Sequence, residues 1–282
     1  MRIDLHTHSR ASDGTQTPAQ VVAAAADAGL DVVALTDHDT TSGWVEAADA
    51  AASLGVGLVR GVEISCAHRG ASVHLLGYLV DPAHPGLVAE FARARESRVT
   101  RLAAMVELMA ADGIPISYEQ VRAQVPDGAT EGRPHIADAL VQAGVVADRN
   151  EAFSRYLANT SRYYVRHYAP DAVDAVRLVV AAGGVAVHAH PFSGTRGRRV
   201  GDDLVERMAE AGLAGLEVDH RDHSPEARAR ARALAGRLGL VTTGSSDYHG
   251  AGKDNRLGEN LTSPEVLAAI EERSSGLTPV LH

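Results

Sequence analysis

Arg2-Ile3-Asp4-Leu5 running into His6-Thr7-His8, and Gly239-Leu240-Val241-Thr242-Thr243 followed by Ser246-Asp247-Tyr248-His249, decide how the rest of this chain folds. Each is a strand-like run that delivers two metal-ligand-type side chains at i and i+2. Successive side chains on a strand point to opposite faces, so His6 and His8 share a face and can grip one ion, and Asp247 with His249 repeats the arrangement. Ligand pairs at strand ends, far apart in sequence, are what a barrel needs to gather a metal cluster at one mouth. A lone histidine after a strand is usually just a satisfied polar residue. Here the pairs recur with further candidates between them, among them Asp13, His38, Glu63 and His74.

Moving inward from both ends, strand-like and helix-like runs alternate. Thr17-Pro18 opens a helix that Gly29 closes. The apolar run Asp31 to Thr36 ends at Asp37-His38-Asp39; a helix over Ser42 to Leu54 leads to the run Gly57 to Val62, which delivers Glu63; and Ala71 to Tyr78 carries His74. From about Pro85 to Val165 the character changes to long patterns rich in Arg, Glu and Ala, such as Glu90 to Asp112 and Ile136 to Gly144, without intervening strands. This predicts a helical insert over 85–165, with Glu131-Gly132-Arg133-Pro134-His135 as a loop inside it, set into a domain formed by 1–84 and 166–282. Alternation resumes through Gly184 to Val187, Gly215 to Val218 and the run before Asp247. Parallel strands need such helical crossovers, which predicts an α/β barrel or an open α/β sheet.

With 282 residues, 45% hydrophobic and 22% charged, the chain has the composition of an ordinary soluble protein. The single cysteine, Cys66, excludes an intrachain disulfide and a cysteine-based metal site. Imidazole and carboxylate ligands suit Mn, Mg, Fe or Zn and do not choose among them. The formal net charge of −9 argues against binding long nucleic acid through a whole-protein field, while leaving room for a small phosphorylated ligand held locally. No apolar run approaches a membrane span and no basic leader precedes an apolar stretch, so a cytoplasmic enzyme with no membrane partner is expected. Oligomeric state is left open.

Asp4-Leu5-His6-Thr7-His8-Ser9 with Ser12-Asp13-Gly14, then Leu35-Thr36-Asp37-His38-Asp39, Gly61-Val62-Glu63, His188-Ala189-His190-Pro191 and Ser246-Asp247-Tyr248-His249 resemble, in order, the motifs of the polymerase and histidinol phosphatase (PHP) family of metal-dependent phosphoesterases. The resemblance implies a distorted (β/α)7 barrel with two or three divalent ions (Mn, Zn or Fe) at the C-terminal ends of its strands. It implies a first ion on His6, His8, Glu63 and Asp247, a second on Asp13, His38 and His249, and a third that Glu63 shares with His74 and His135. Phosphoester hydrolysis by metal-activated water would follow, with no side-chain nucleophile.

Other residues acquire expected roles. His190, Asp247 and Asp37 are the catalytic candidates: His190 to contact the phosphate or protonate the leaving oxygen, and Asp37 to orient an imidazole. Asp39 reads equally well as a solvated loop carboxylate. Arg133 is expected to place its fork on a phosphate, and the basic run Arg196, Arg198 and Arg199 to meet a second one. Gly132-Arg133-Pro134-His135 within a helical insert, with Asp at position 13, resembles the family's nucleoside 3′,5′-bisphosphate phosphatases and 5′-to-3′ exoribonucleases. A histidinol-phosphate phosphatase and a catalytically silent metal-stabilised module are the alternatives.

Overall fold

A computed structural model describes residues 1–193 and 200–280. Seven strands pair in sequence order among these residues: β1 (Ile3–Asp4), β2 (Val32–Leu35), β3 (Gly57–His68), β4 (Ala71–Tyr78), β5 (Val185–His188), β6 (Gly215–Asp219) and β7 (Val241–Gly244). The sheet curls into a nearly closed barrel. Its seam runs between the His6-Thr7-His8 and Ser246-Asp247-Tyr248-His249 segments: the His8 N–H donates to the Tyr248 carbonyl at 2.8 Å, and Thr7 bridges Tyr248.

The barrel departs from regular parallel order at β4, which runs antiparallel to both β3 and β5. No helix separates β3 from β4. Arg69 and Gly70 both adopt positive φ, 47° and 82°, the conformation of a two-residue hairpin turn whose twist matches that of the strands it joins. This tight return is the physical source of the distortion.

Elsewhere helices make the crossovers: α1 (Pro18–Asp27), α2 (Trp44–Leu54), α7 (Ala172–Ala181), α8 (Asp202–Glu210) and α9 (Pro225–Leu238), with α10 (Pro264–Arg273) after β7. Helix α1 starts where the sequence predicts, with Pro18 at its first turn and a reciprocal Thr17–Gln20 capping box. Side chains alternate between two cores. Val32 and Ala34 of β2 join the cluster that fills the barrel with Leu5, Val59, Leu76 and Tyr78, while Val33 and Leu35 pack outward with Val21, Val22 and Ala47 of the helices.

Between β4 and β5 lie α3 (Pro85–Ala111), α4 (Tyr118–Arg122), α5 (Arg133–Gln142) and α6 (Arg149–Ala152), the last continued by a π-helical turn, Phe153–Leu157. These helices gather a third core around Leu102, Met105, Met109, Ile136 and Leu140. Arg133, Pro134 and His135 form the first turn of α5 rather than a loop. Proline is well placed there, because its missing N–H falls where a helix has no intrahelical acceptor. Among the described residues no helix is long and apolar enough to cross a membrane.

Candidate metal centre

The first two strands and the last deliver their ligand-type side chains to the same mouth. His6 Nε2 and His8 Nε2 lie 3.0 Å apart, and both face Glu63 Oε2 (3.3 and 3.1 Å) and Asp247 Oδ1 (3.5 and 3.3 Å). His249 Nε2 approaches Asp13 Oδ1 at 3.3 Å, with His38 Nε2 3.9 Å from the other carboxylate oxygen. Glu63 sits at the centre, 1% exposed: Oε2 also meets His38 Nδ1 at 3.2 Å, while Oε1 meets His74 Nδ1 at 2.6 Å and His190 Nε2 at 3.1 Å.

This arrangement fits divalent cations. Two imidazole nitrogens and two carboxylate oxygens converge on one point, and His8 Nδ1, His38 Nδ1 and His249 Nε2 are buried without a hydrogen-bond partner. Burial alone would raise the carboxyls, yet Glu63, Asp13 and Asp247 are all held well below the usual range by the charges around them: His74, His38 and His6 for Glu63, His249 and His38 for Asp13, Lys253 and His249 for Asp247. Burial would also depress His8, but Asp247 and Glu63 push it up to about 9. The site is an anionic basin. Its donor set of nitrogen and oxygen without thiolate suits hard or borderline ions.

Backbone strain concentrates here. His190 (φ 31°), Asp247 (φ 55°) and Asp39 (φ 52°) occupy the left-handed region, which costs a residue with a side chain about 1–2 kcal/mol. Such conformations persist where the surroundings over-determine them.

Several expected roles are redistributed. His135 joins none of the ligand groups among the described residues; its Nδ1 accepts from its own Gly132 N–H at 3.0 Å, and its nearest attractive charges are Asp13 and Asp138. The position beside Glu63 and His74 is taken by His190 instead. Among the described residues Asp37 accepts no hydrogen bond from an imidazole: its oxygens accept from Ser9 N (2.8 Å), Ser9 Oγ (2.7 Å) and Ser12 Oγ (2.6 Å), which makes it the organiser of the turn that presents Asp13. Asp39 is not a solvated loop carboxylate. It is fully buried and accepts two hydrogen bonds from Arg98 of α3, at 3.0 and 2.8 Å. Arg133 reaches the Leu157 carbonyl (2.6 Å) and Asn159 Oδ1 (2.7 Å) and lies over the rings of Phe153 and Tyr164. Arg196, Arg198 and Arg199 lie outside the described residues.

The structure also brings in residues that sequence reasoning passed over. Glu217 of β6 is buried under His6, with Oε1 2.9 Å from His6 Nδ1, and neighbouring histidines hold its carboxyl below the usual range against its burial. Lys253 Nζ lies 2.9 Å from Asp247 Oδ2, with His220 Nε2 3.6 Å from the same oxygen. On α3, Arg101 is 4% exposed; its Nε donates to the Val165 carbonyl (2.8 Å), but its buried Nη2 has no partner, and neither has the buried Nε2 of His167. Burial and the guanidiniums of Arg133 and Arg98 bring Arg101 down to about 9; burial and Arg98, Arg101 and Arg133 bring His167 down to about 2. The three guanidiniums crowd one another around a neutral His167, which lies within electrostatic reach of His74.

Comparison with known proteins supplies independent context. The PHP domain matches residues 4–167, which include His6 through His135 and stop short of His190, Asp247 and His249. The chain is 38% identical to the 3′,5′-nucleoside bisphosphate phosphatase of Chromobacterium violaceum over 95% of its own length and 94% of that protein. It is 33% identical to a 5′-3′ exoribonuclease of Haemophilus influenzae, over 96% and 98% of the two chains. Among solved structures, a Bifidobacterium adolescentis protein assigned as a metal-dependent phosphoesterase superposes with a TM-score of 0.94 at 42% identity, covering 96% of each chain.

Proposed function

This chain belongs to the PHP domain family of metal-dependent phosphoesterases, and from that membership we propose that it removes a phosphate from a small nucleotide, with a nucleoside 3′,5′-bisphosphate as the best-supported substrate. It is a hydrolase acting on phosphoester bonds, and its His, Asp and Glu clusters bind divalent metal. The first ion is assigned to His6, His8, Glu63 and Asp247, the second to Asp13, His38 and His249, and a third to Glu63, His74 and His190 in place of His135. Manganese, zinc or iron suits this set. Ions held there would polarise the phosphoryl group and make water acidic enough to attack at neutral pH.

The protein's own groups do the positioning. Glu63 presents one oxygen to His6, His8 and His38 and the other to His74 and His190, so the ligand groups share a rigid anionic hinge. His190 stands at the edge of this set and serves as ligand or phosphate contact, not as a free acid. The observation that carries the nucleotide reading is the pair Arg101 and His167: the buried Arg101 Nη2 and His167 Nε2 have no hydrogen-bond partner, His167 lies within electrostatic reach of His74, and an anion from outside the protein would satisfy the guanidinium. A second phosphate on the substrate answers that need. The resemblance to the bisphosphate phosphatase supports the same choice. A cytoplasmic location accords with such a substrate.

Two measurements test this. Stripping with a chelator should abolish phosphate release and manganese should restore it, with elemental analysis finding roughly two to three ions per chain; fewer than about one after reconstitution would overturn the metal assignment. Arg101→Met should lower kcat/KM for a nucleoside 3′,5′-bisphosphate by about ten- to a hundred-fold, the worth of a charge-assisted hydrogen bond, and affect the 3′- and 5′-monophosphates much less. Equal losses on all three would remove the second-phosphate role. The second reading, exoribonuclease action on short 5′-phosphorylated RNA, is favoured by the likeness to the Haemophilus influenzae enzyme across nearly its whole length. Mononucleotide release from such an RNA, faster than phosphate release from the bisphosphate, would decide for it.

A further inference from the structure

Glu217 ties three strand ends together from below the ligand set. β6 lies between β5 and β7 in the sheet, and its Glu217 is wholly buried beneath the metal-binding mouth. Oε1 meets His6 Nδ1 at 2.9 Å, from the continuation of β1, and accepts a short hydrogen bond from Ser245 Oγ, which directly follows β7 and precedes Asp247 by two residues. Oε2 accepts the main-chain N–H of His190 at 2.8 Å, two residues beyond β5.

These contacts have a definite chemical consequence. A neutral imidazole has one bare nitrogen, and the nitrogen that carries the proton is set by the hydrogen bond it makes. His6 Nε2 points to His8 Nε2, Glu63 Oε2 and Asp247 Oδ1, so the proton must reside on Nδ1, where Glu217 accepts it. The His190 N–H bond, in turn, helps hold a backbone conformation (φ 31°) that is uncommon for a residue with a side chain.

We infer that Glu217 is a positioning residue for the metal centre: it fixes His6 in the Nδ1–H tautomer, holds the bend that turns His190 toward Glu63, and anchors the segment leading to Asp247. This rests on the metal assignment proposed above. The competing possibility is that Glu217 is itself a ligand, because His6, His190 and Glu217 offer atoms within 4.8 Å of one another. All three of its hydrogen bonds come from donors, however, and two of those donors, Ser245 Oγ and the His190 N–H, would have to give up an oxygen to an ion.

Zinc binding to wild type and E217Q, measured by chelator competition, separates the cases. The amide keeps the size of the carboxylate but loses its charge and faces at least one donor with a donor. E217Q should bind zinc about ten- to a hundred-fold more weakly, the usual effect of losing such a supporting partner, yet reach the wild-type number of ions at saturation. Loss of one ion at saturation would make Glu217 a ligand and overturn the inference. Affinity within about twofold of wild type, with only a lowered melting temperature, would reduce it to a structural residue and overturn it equally. If E217Q does not fold, long-range proton–nitrogen spectra of zinc-loaded wild type decide: His6 should carry its proton on Nδ1, and a His6 with a proton on Nε2 would overturn the assignment. A wild type that binds no zinc or manganese would instead remove the metal reading itself.

Discussion

Glu63→Gln should eliminate phosphate release while leaving the barrel folded. Five imidazoles converge on this carboxylate, His6, His8 and His38 on one oxygen and His74 and His190 on the other, all within 3.3 Å. Glutamine keeps the shape, but one of its two ends becomes a donor. Whichever end that is, an NH2 group then faces nitrogens whose lone pairs must point inward to hold an ion, and the shared anion between ligand groups is gone. The loss should therefore exceed the roughly 10²–10³-fold that follows removal of a single transition-state hydrogen-bond donor, because more than one ion site is disrupted. Asp13→Asn provides the comparison. The imidazoles that meet Asp13 are those of His8, His38 and His249, at 3.3 Å or more, with Ser12 Oγ at 3.4 Å, so its amide should weaken one site and cost less. Initial rates at saturating manganese, with circular dichroism to verify the fold, measure both; Glu63→Gln within about tenfold of wild type, some 1.4 kcal/mol of barrel-mouth chemistry, would refute the central role of this residue.

The side chains gathered at the barrel mouth were legible because two simple regularities coincide in them. A period of two puts His6 with His8 on one face, and Asp37-His38 and His190 follow strands marked by apolar runs that the helices interrupt, whereas Glu63, read as closing such a run, stands inside the longer β3. The same regularities were blind to β3–β4. The run Gly57 to His68 is one continuous strand, and its return is encoded in two residues, Arg69-Gly70, which carry almost no signal beside a long apolar stretch.

Glu217 was hidden for a different reason. A glutamate between the buried Leu216 and Val218 of an apolar run is the available signal, since a carboxylate so placed must find donors, but nothing local says that they come from the ends of β1, β5 and β7. Arg98 and Arg101 were lost in the composition of α3. In a helix so rich in Arg and Glu, charged side chains read as a solvated face, and only the tertiary packing reveals that these two, at i and i+3, lie 7% and 4% exposed, Arg98 on Asp39 and Ser65 and Arg101 on the Val165 carbonyl. The reading of 131–135 as a loop missed that Gly-Arg-Pro-His is equally a good helix start.

Asp39→Ala should be the most destabilising single substitution at the junction of barrel and helices, by about 3–5 kcal/mol, the cost of leaving a buried charge without its partner. Its carboxylate accepts Arg98 Nε and Nη2 at 3.0 and 2.8 Å on one oxygen and the Ser65 N–H at 2.9 Å on the other; the Arg98 guanidinium also donates to Ser65 Oγ and the Glu131 carbonyl, and Arg95 donates to the Asp39 carbonyl. One pair thus docks α3 onto the loop that carries His38. The sign of the double change separates stability from docking. Replacing both partners, as in Asp39→Ala with Arg98→Met, removes both desolvation penalties and should recover most of the lost stability, since apolar substitutes for a buried ion pair are often neutral or better. It should not recover activity, because the position of His38 and the orientation of the insert that bears Arg101 and Arg133 depend on the fork geometry and not on burial alone. Urea unfolding of the metal-free variants, evaluated as a double-mutant cycle, reads the first effect, and phosphate release by the metal-loaded variants reads the second. A single-mutant loss below about 1 kcal/mol, the scale of an exposed ion pair, would mean that this contact is not the anchor, and that the apolar contacts of α3 hold the helices on the barrel instead.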